Sequence, residues 1–241
     1  MHKTFNVLII SISIFLFFSC SDNSTGSDND QNNNSAGTVT DIDGNTYKTV
    51  KIGDQWWMAE NLKVSHYRNG DAISFPTDSL GWASNTSGAY GFYDNDNGNA
   101  NSYGNLYNWY AVNNVKNIAP EGWHIATDED WKQLEMALGM NQAEADNIEW
   151  RGLIAPKLRE TGNDHWSLGL DSDNESGFTA LPGGIRLQEN KDLFLTWFAF
   201  FWTSSSENNT PIYRQISYIT DGVKRFYEIP QSGMSVRCVK D

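Results

Sequence analysis

Residues 122–138, GWHIATDEDWKQLEMAL, hold a strand signal and a helix signal back to back. Trp123, His124 and Ile125 alternate apolar and polar side chains, the pattern of a half-buried strand. Thr127-Asp128-Glu129-Asp130 then reads as a capping box, and Trp131, Leu134, Glu135 and Leu138 fall on one side of the turns that follow. Gly139 can take the left-handed backbone that ends such a helix. An apolar helix face that carries a tryptophan needs another layer to cover it, so the flanking sequence has to supply strands.

Upstream, residues 46–52 alternate at period two, Gly53-Asp54 marks a turn, and Gln55-Trp56-Trp57-Met58 returns, which predicts a hairpin. Successive strand residues point to opposite faces, so Trp56 and Trp57 cannot enter the same core. Leu106, Tyr107, Tyr110 and Ala111 lie at helical spacing and predict a short helix near 104–113. Beyond Gly177 the pattern is strand-like at 178–181, 185–187, 198–203, 212–219, 223–228 and 235–239. Residues 197–202, WFAFFW, are so apolar that both faces need cover, which makes them a central strand and its approach. The reading is an α+β domain: two short helices early, then a mostly antiparallel sheet with long loops at 160–177, 188–196 and 205–211.

The N-terminus has a different character. Lys3 precedes a nearly unbroken apolar run over residues 5–18, too short for a membrane-spanning helix and of the length of a signal peptide's apolar region. Phe17-Phe18-Ser19-Cys20 resembles a lipobox, so residues 1–19 are expected to be a cleaved lipoprotein signal and Cys20 the lipidated residue. Several acyl chains at about 0.8 kcal/mol per buried CH₂ anchor a protein stably. Residues 20–37 hold no side chain able to join a core and read as a disordered, acidic and Asn-rich tether. Fully extended, it reaches at most roughly 60 Å. Ser21-Asp22, with Asp28 and Asp30, is similar to the acidic export signals that carry Bacteroidota lipoproteins to the outer face of the outer membrane.

Residues 38–241 remain, the size of one large domain. A formal charge of −13 excludes nucleic acid and anionic lipid head groups as expected partners, since both need basic patches. With Cys20 committed to lipid, Cys238 has no disulfide partner, and the fold must rest on a core fed by 10 Trp, 10 Tyr and 12 Phe.

DIDGNTYKTVKIGDQWWMAENLK at 41–63, YGNLYNWYAV at 103–112, APEGWHIATDEDWKQLE at 119–135, FWTSS at 201–205 and SVRCVKD at 235–241 resemble the Fibrobacter succinogenes major paralogous domain. That family is abundant in secreted and lipid-anchored proteins of Bacteroidota and their relatives, and has no established general activity. A fainter resemblance links GWHIATDEDWKQLEMAL and the terminal Val236-Arg237-Cys238-Val239 to formylglycine-generating sulfatase-modifying enzymes. It implies a C-type lectin-like fold but not their function. Their oxidase chemistry needs a copper-holding pair of cysteines, and only Cys238 is available here.

Other catalytic patterns are missing: His66, His124 and His165 are scattered without metalloprotease spacing, and neither a GxSxG nor a P-loop motif occurs. His124 reads as a packed, hydrogen-bonded residue. No cofactor is required, although Asp94, Asp96, Asn99 and Asn101 alternate around Gly98 in a loop that could curl hard oxygens around calcium. The EF-hand glutamate at loop position 12 and the EPN and WND lectin motifs are missing. Recognition usually sits on loops over a rigid scaffold. The late loops therefore supply the candidate ligand-binding residues Asp164, His165, Trp166, Asp171, Asp173, Asn174 and Glu175, with Trp166 either an exposed ring for stacking on a sugar or a core residue. The expected function is a non-catalytic, surface-anchored recognition lipoprotein for a glycan or for an envelope or host protein. A structural lipoprotein of the envelope and an undetected hydrolase are the alternatives.

Cys20→Ser is expected to block lipidation and leave the chain soluble or in precursor form. Membrane fractionation with labelled palmitate checks this, and undiminished label in the variant would refute it.

Overall fold

A computed structural model describes residues 36–168 and 171–241, so the signal, Cys20 and nearly all of the tether lie outside the described residues. The first strand, Gly37–Thr40, begins at the expected domain boundary and pairs with the hairpin strand Thr46–Ile52. The hairpin forms as its alternation predicts, with Val50 opposite Trp57 and Lys51 opposite Trp56. The C-terminal strand Cys238–Lys240 adds to the Gln55–Met58 edge and carries Trp123–Ile125 on its other side. All pairs in this five-stranded sheet are antiparallel, and it brings the two ends of the domain together.

A second, larger sheet runs in the order Tyr90–Gly91, Leu106–Asn108, Gly233–Met234, Gly183–Arg186, Phe198–Glu207, Thr210–Ser217, Val223–Tyr227, Glu149–Arg151. It is antiparallel except where Ala199 pairs with Gly184. Phe198–Glu207 is central, as its apolarity demands. Phe200 and Trp202 enter one core with Tyr47, Tyr107, Met234 and Val236, while Ala199 and Phe201 enter the other. Trp57 joins that second core, whereas Trp56 packs against the first.

The capped helix is Asp128–Ala137, with the Thr127 and Asp130 side chains exchanging bonds with each other's backbone N–H. Trp131 is fully buried, and its ring lies 5.3 Å from Trp57, 5.3 Å from Phe178 and 5.4 Å from Phe201. This aromatic cluster fastens the helix to both sheets.

Several expectations are corrected. Six short helices occur among the described residues, not two, and the last ends at Leu158. Of the helix expected near 104–113, only Trp109–Val112 is helical. Leu106–Asn108 is drawn into the sheet by Tyr90–Gly91 and Gly233–Met234, and tertiary pairing overrides its periodicity. Residues 178–181 form no strand but a single bridge, Arg159 to Ala180, because Thr179 sits at φ 54. Two of the three long loops are hairpins. Asp192–Leu195 folds back on Gly183–Arg186, and Phe198–Glu207 turns into Thr210–Ser217 through Asn208 and Asn209, both left-handed as a tight two-residue turn requires.

A charge network that sequence reading did not anticipate lies behind the capped helix. Arg225 donates to both Asp128 oxygens at 2.8 Å, and Arg214 donates to Asp128 Oδ1 at 2.7 Å. Arg214 also reaches Glu135 Oε1 at 2.7 Å, and Arg151 reaches Glu135 Oε2 at 2.6 Å. Glu135 has no exposed surface. Burial alone would raise the Asp128 pKa, but the hydrogen bonds and charges of Arg225 and Arg214 outweigh it and hold the carboxyl well below the usual range. A depressed folded pKa contributes stability above the unfolded aspartate pKa and loses it as pH falls toward the folded value. Asp128→Asn is expected to cost about 3–5 kcal/mol at neutral pH, the penalty of breaking a buried pair. It is also expected to show a shallower loss of stability between about pH 4 and pH 2 than the parent. Urea titrations across that pH range measure both effects, and parallel pH slopes would show that Asp128 is not the linked group.

Candidate functional site

The chain leaving the hairpin, Ala59-Glu60-Asn61-Leu62-Lys63, runs between the terminal strand and the helix Asn97–Tyr103. Asn61 is buried and fixes this path: its amide donates to Tyr103 O at 2.7 Å and to Ser235 Oγ at 3.2 Å, and its Oδ1 accepts from Arg237 Nε at 2.6 Å. Gly104, at φ 79, lets the helix end lie against Asn61, since a Cβ there would stand 2.7 Å from the Asn61 Cβ. Lys63 Nζ crosses to the same helix and donates to Asn101 O at 3.0 Å.

This bridge divides a groove into two cavities, and both Lys63 and Asn101 line each of them. The first, about 210 Å³, is walled by Lys48, Glu60, Asn61, Glu160, His165 and Thr179. His165 Nδ1 lies 2.7 and 2.8 Å from the two Glu160 oxygens, and its ring meets Tyr103 edge-on at 5.5 Å. The second cavity, about 250 Å³, is walled by Asn45, Ser65, Asn97 and Asn105 and by the rings of Tyr90 and Phe92. Those two rings stack with Phe75 in a cluster at 4.9–5.9 Å. Cavities for drug-sized ligands run roughly 300–1,000 Å³, so each of these suits a single ring-sized unit.

The floor is held from behind by Arg237. Its guanidinium donates to Asn61 Oδ1, Met58 O, Phe178 O and Thr179 O, and lies 4.4 Å from the Phe178 ring centroid. Burial lowers its pKa to about 9, against a smaller opposing pull from Glu60. Thr179 is a β-branched residue in the left-handed region, a genuine outlier. Asn174 holds it there, accepting from Thr179 N and donating to Thr179 Oγ1, both at 2.9 Å.

Of the late-loop residues singled out from sequence, only His165 lines the groove. Trp166 is corrected: it is 5% exposed and donates from Nε1 to Ala180 O, so its indole fills the second core beneath the loop and cannot stack on a ligand. Asn174 acts on Thr179 from behind the wall. Asp164 and Asp171 are exposed at the surface, Asp173 accepts from Glu175 N, and Glu175 pairs with Lys157 at 3.1 Å.

The calcium loop expected at 94–101 is a short 3-10 turn followed by a helix. Asp96 caps that helix through Gly98 N, Asn99 Nδ2 donates to Tyr93 O, and Asp94 N donates to Asp192 Oδ2. Asn99 and Asn101, two positions apart on a helix, do not face each other, so the four side chains do not converge. Among the described residues no group of three His, Cys, Asp or Glu is arranged to hold a metal ion. His124 is hydrogen-bonded through both ring nitrogens, to Asp130 at 3.0 Å and Asp241 at 2.8 Å, which suits the packed role read from its neighbours.

A model of the Fibrobacter succinogenes major domain matches residues 50–240, and the chain belongs to that family. No curated protein and no solved structure matches the chain. Asn61, Lys63, Gly104 and Arg237 all lie in the stretches whose resemblance to the family was noted above.

Arg237→Lys keeps the charge but offers three donors from one point against four acceptors spread around a planar fork. It is expected to lower the unfolding free energy by at least about 1.5–3 kcal/mol, the worth of one hydrogen bond to a charged group. An unchanged denaturation midpoint would show that the groove floor does not depend on the fork.

Proposed function

We propose that this member of the Fibrobacter succinogenes major domain family is a lipid-anchored, outer-membrane surface protein whose domain, of C-type lectin-like fold, recognises glycans without catalysis along the groove astride Lys63. The observation that carries this reading is the pair of adjacent ring-sized cavities, one lined by amides and half-buried aromatic rings and the other by mixed acid, base and amide groups. Amides and ammonium groups match vicinal hydroxyls, and aromatic faces match the C–H faces of pyranose rings. The lectin-like assignment draws support from the meeting of the domain's two ends in one sheet. The lipid anchor draws on residues 5–20.

One observation favours a hydrolase instead. A carboxylate on His165 Nδ1 orients the imidazole as it would in a general base. Against this, no hydrogen bond joins His165 to a hydroxyl among the described residues, and Thr179 Oγ1, in the same cavity, is bonded to Gly177 O and Asn174. The only cysteine among the described residues, Cys238, is buried, and burial pushes its thiol far above the usual range.

The purified full-length chain on a glycan array is expected to bind a restricted set of sugars and release no products. Asn97→Trp, which fills the exposed rim of the second cavity, is expected to weaken binding at least about tenfold without moving the denaturation midpoint. Binding untouched by Asn97→Trp, or silence across the array, would overturn the reading, and released products would favour the hydrolase.

A further inference from the structure

The chain carries a formal charge of −13, yet the cavity beside Tyr90 and Phe92 has one charged side chain in its walls, Lys63. No carboxylate neutralises that ammonium among the described residues. It donates one bond, to Asn101 O at 3.0 Å, and has two donors left. The acids close to this wall are engaged elsewhere: Asp43 accepts from Ser65 N and Ser65 Oγ and lies 2.6 Å from His66 Nδ1, and Asp96, next to Asn97 in the chain, accepts from Gly98 N at the helix start. The Asn97 and Asn101 side chains make no hydrogen bond among the described residues and stand exposed at the rim. The remote negative charge matters little at this range, because the Debye length is about 8 Å at physiological ionic strength. In its own lining, then, the cavity is an amide-rich slot with two aromatic walls and one cation, Lys63.

Its neighbour carries charges of both signs. Glu60 and Glu160 line the first cavity together with Lys48, Lys63 and His165; Glu160 is paired with His165, and Glu60 Oε2 accepts from Lys48 N at 2.6 Å. Sugar hydroxyls can donate to these acids and accept from the lysines.

Resting on the glycan reading of this groove, we propose that its ligand is a glycan that carries a carboxylate. A uronic acid ring occupies the cavity of Tyr90 and Phe92 with its carboxylate on the Lys63 ammonium, and a neutral sugar ring occupies the cavity of Glu160 and His165.

Calorimetric titration of the full-length chain tests this with three matched probes: cellobiouronate, its methyl ester and cellobiose, repeated with galacturonate and mannuronate disaccharides to cover ring stereochemistry. The acid of at least one set is expected to bind about tenfold more tightly than its ester and its neutral counterpart. Lys63→Gln should bring the three members of that set together, and Lys63→Arg should keep the preference. Asn97→Asp, which leaves Lys63 in place and adds a carboxylate at the exposed rim, should abolish it. Equal binding of acid, ester and neutral sugar, binding of neutral sugars alone, or a preference that survives Lys63→Gln would overturn the acidic-sugar assignment and leave the glycan reading standing. Failure of every sugar, here and on the array, would remove both.

Discussion

Arg237 is a cation buried without a carboxylate beside it, and the fold is arranged around keeping it satisfied. A lone buried charge is costly unless every donor finds a partner. Here the partners are two carbonyls of the 178–179 turn, one carbonyl at the end of the hairpin and the amide oxygen of Asn61, with the rings of Phe178 and Phe201 alongside. Those acceptors come from two parts of the chain, distant from each other and from Arg237. Satisfying one guanidinium therefore fixes the hairpin exit, the terminal strand and the strained turn relative to one another. Because Asn61 and Thr179 both line the groove, the constraint that closes the fold also shapes the candidate site.

A second set of arginines shows how differently a cation can be held. Arg151, Arg214 and Arg225 share two acids, Asp128 and Glu135, on one helix, and these pairs couple that helix to the far strands of the larger sheet. Asp128 also sits in the first helical turn, where the helix dipole favours a negative charge. The aromatic cluster of Trp57, Trp131, Phe178 and Phe201 lies between this network and Arg237. Arg214 stands over Trp131 at 5.9 Å and Arg237 over Phe178 at 4.4 Å. Apolar packing and ionic pairing thus act side by side on the same buried face of that helix.

What was legible in the sequence was local. The Thr127 to Asp130 box and the alternation over residues 46–52 are decided within a few residues, and both form as read. The opposite fates of Trp56 and Trp57 follow from strand geometry alone. Glu135 illustrates the limit: on the helix it reads as one more polar residue, and its partner Arg214 is 79 positions away. Trp166 shows the same limit in reverse, since a tryptophan amid Asp, His and Ser looks exposed until Ala180 and the second core are seen to enclose it. Residues 178–181 have strand composition, but Asn174 and Arg237 hold Thr179 in a conformation no strand allows. The groove was least legible because it is assembled from segments some forty to one hundred positions apart, and Lys63 stands out only against the uncharged walls around it.

Thr179 connects this architecture to the proposed recognition. A non-glycine residue in the left-handed region costs on the order of 1–3 kcal/mol and persists only where its surroundings over-determine it. Two hydrogen bonds exchanged with Asn174 and one donated by Arg237 do so here. The wall of the first cavity is then set before any ligand arrives, as is the path of Asn61 beneath it. Affinity in small polar sites depends on how little ordering remains to be done on binding, because each side chain immobilised at that moment costs roughly 0.5–1.5 kcal/mol. A groove whose backbone is already locked by a buried arginine can spend its remaining polar groups, the Lys63 ammonium and the amides of Asn97 and Asn101, on the ligand itself.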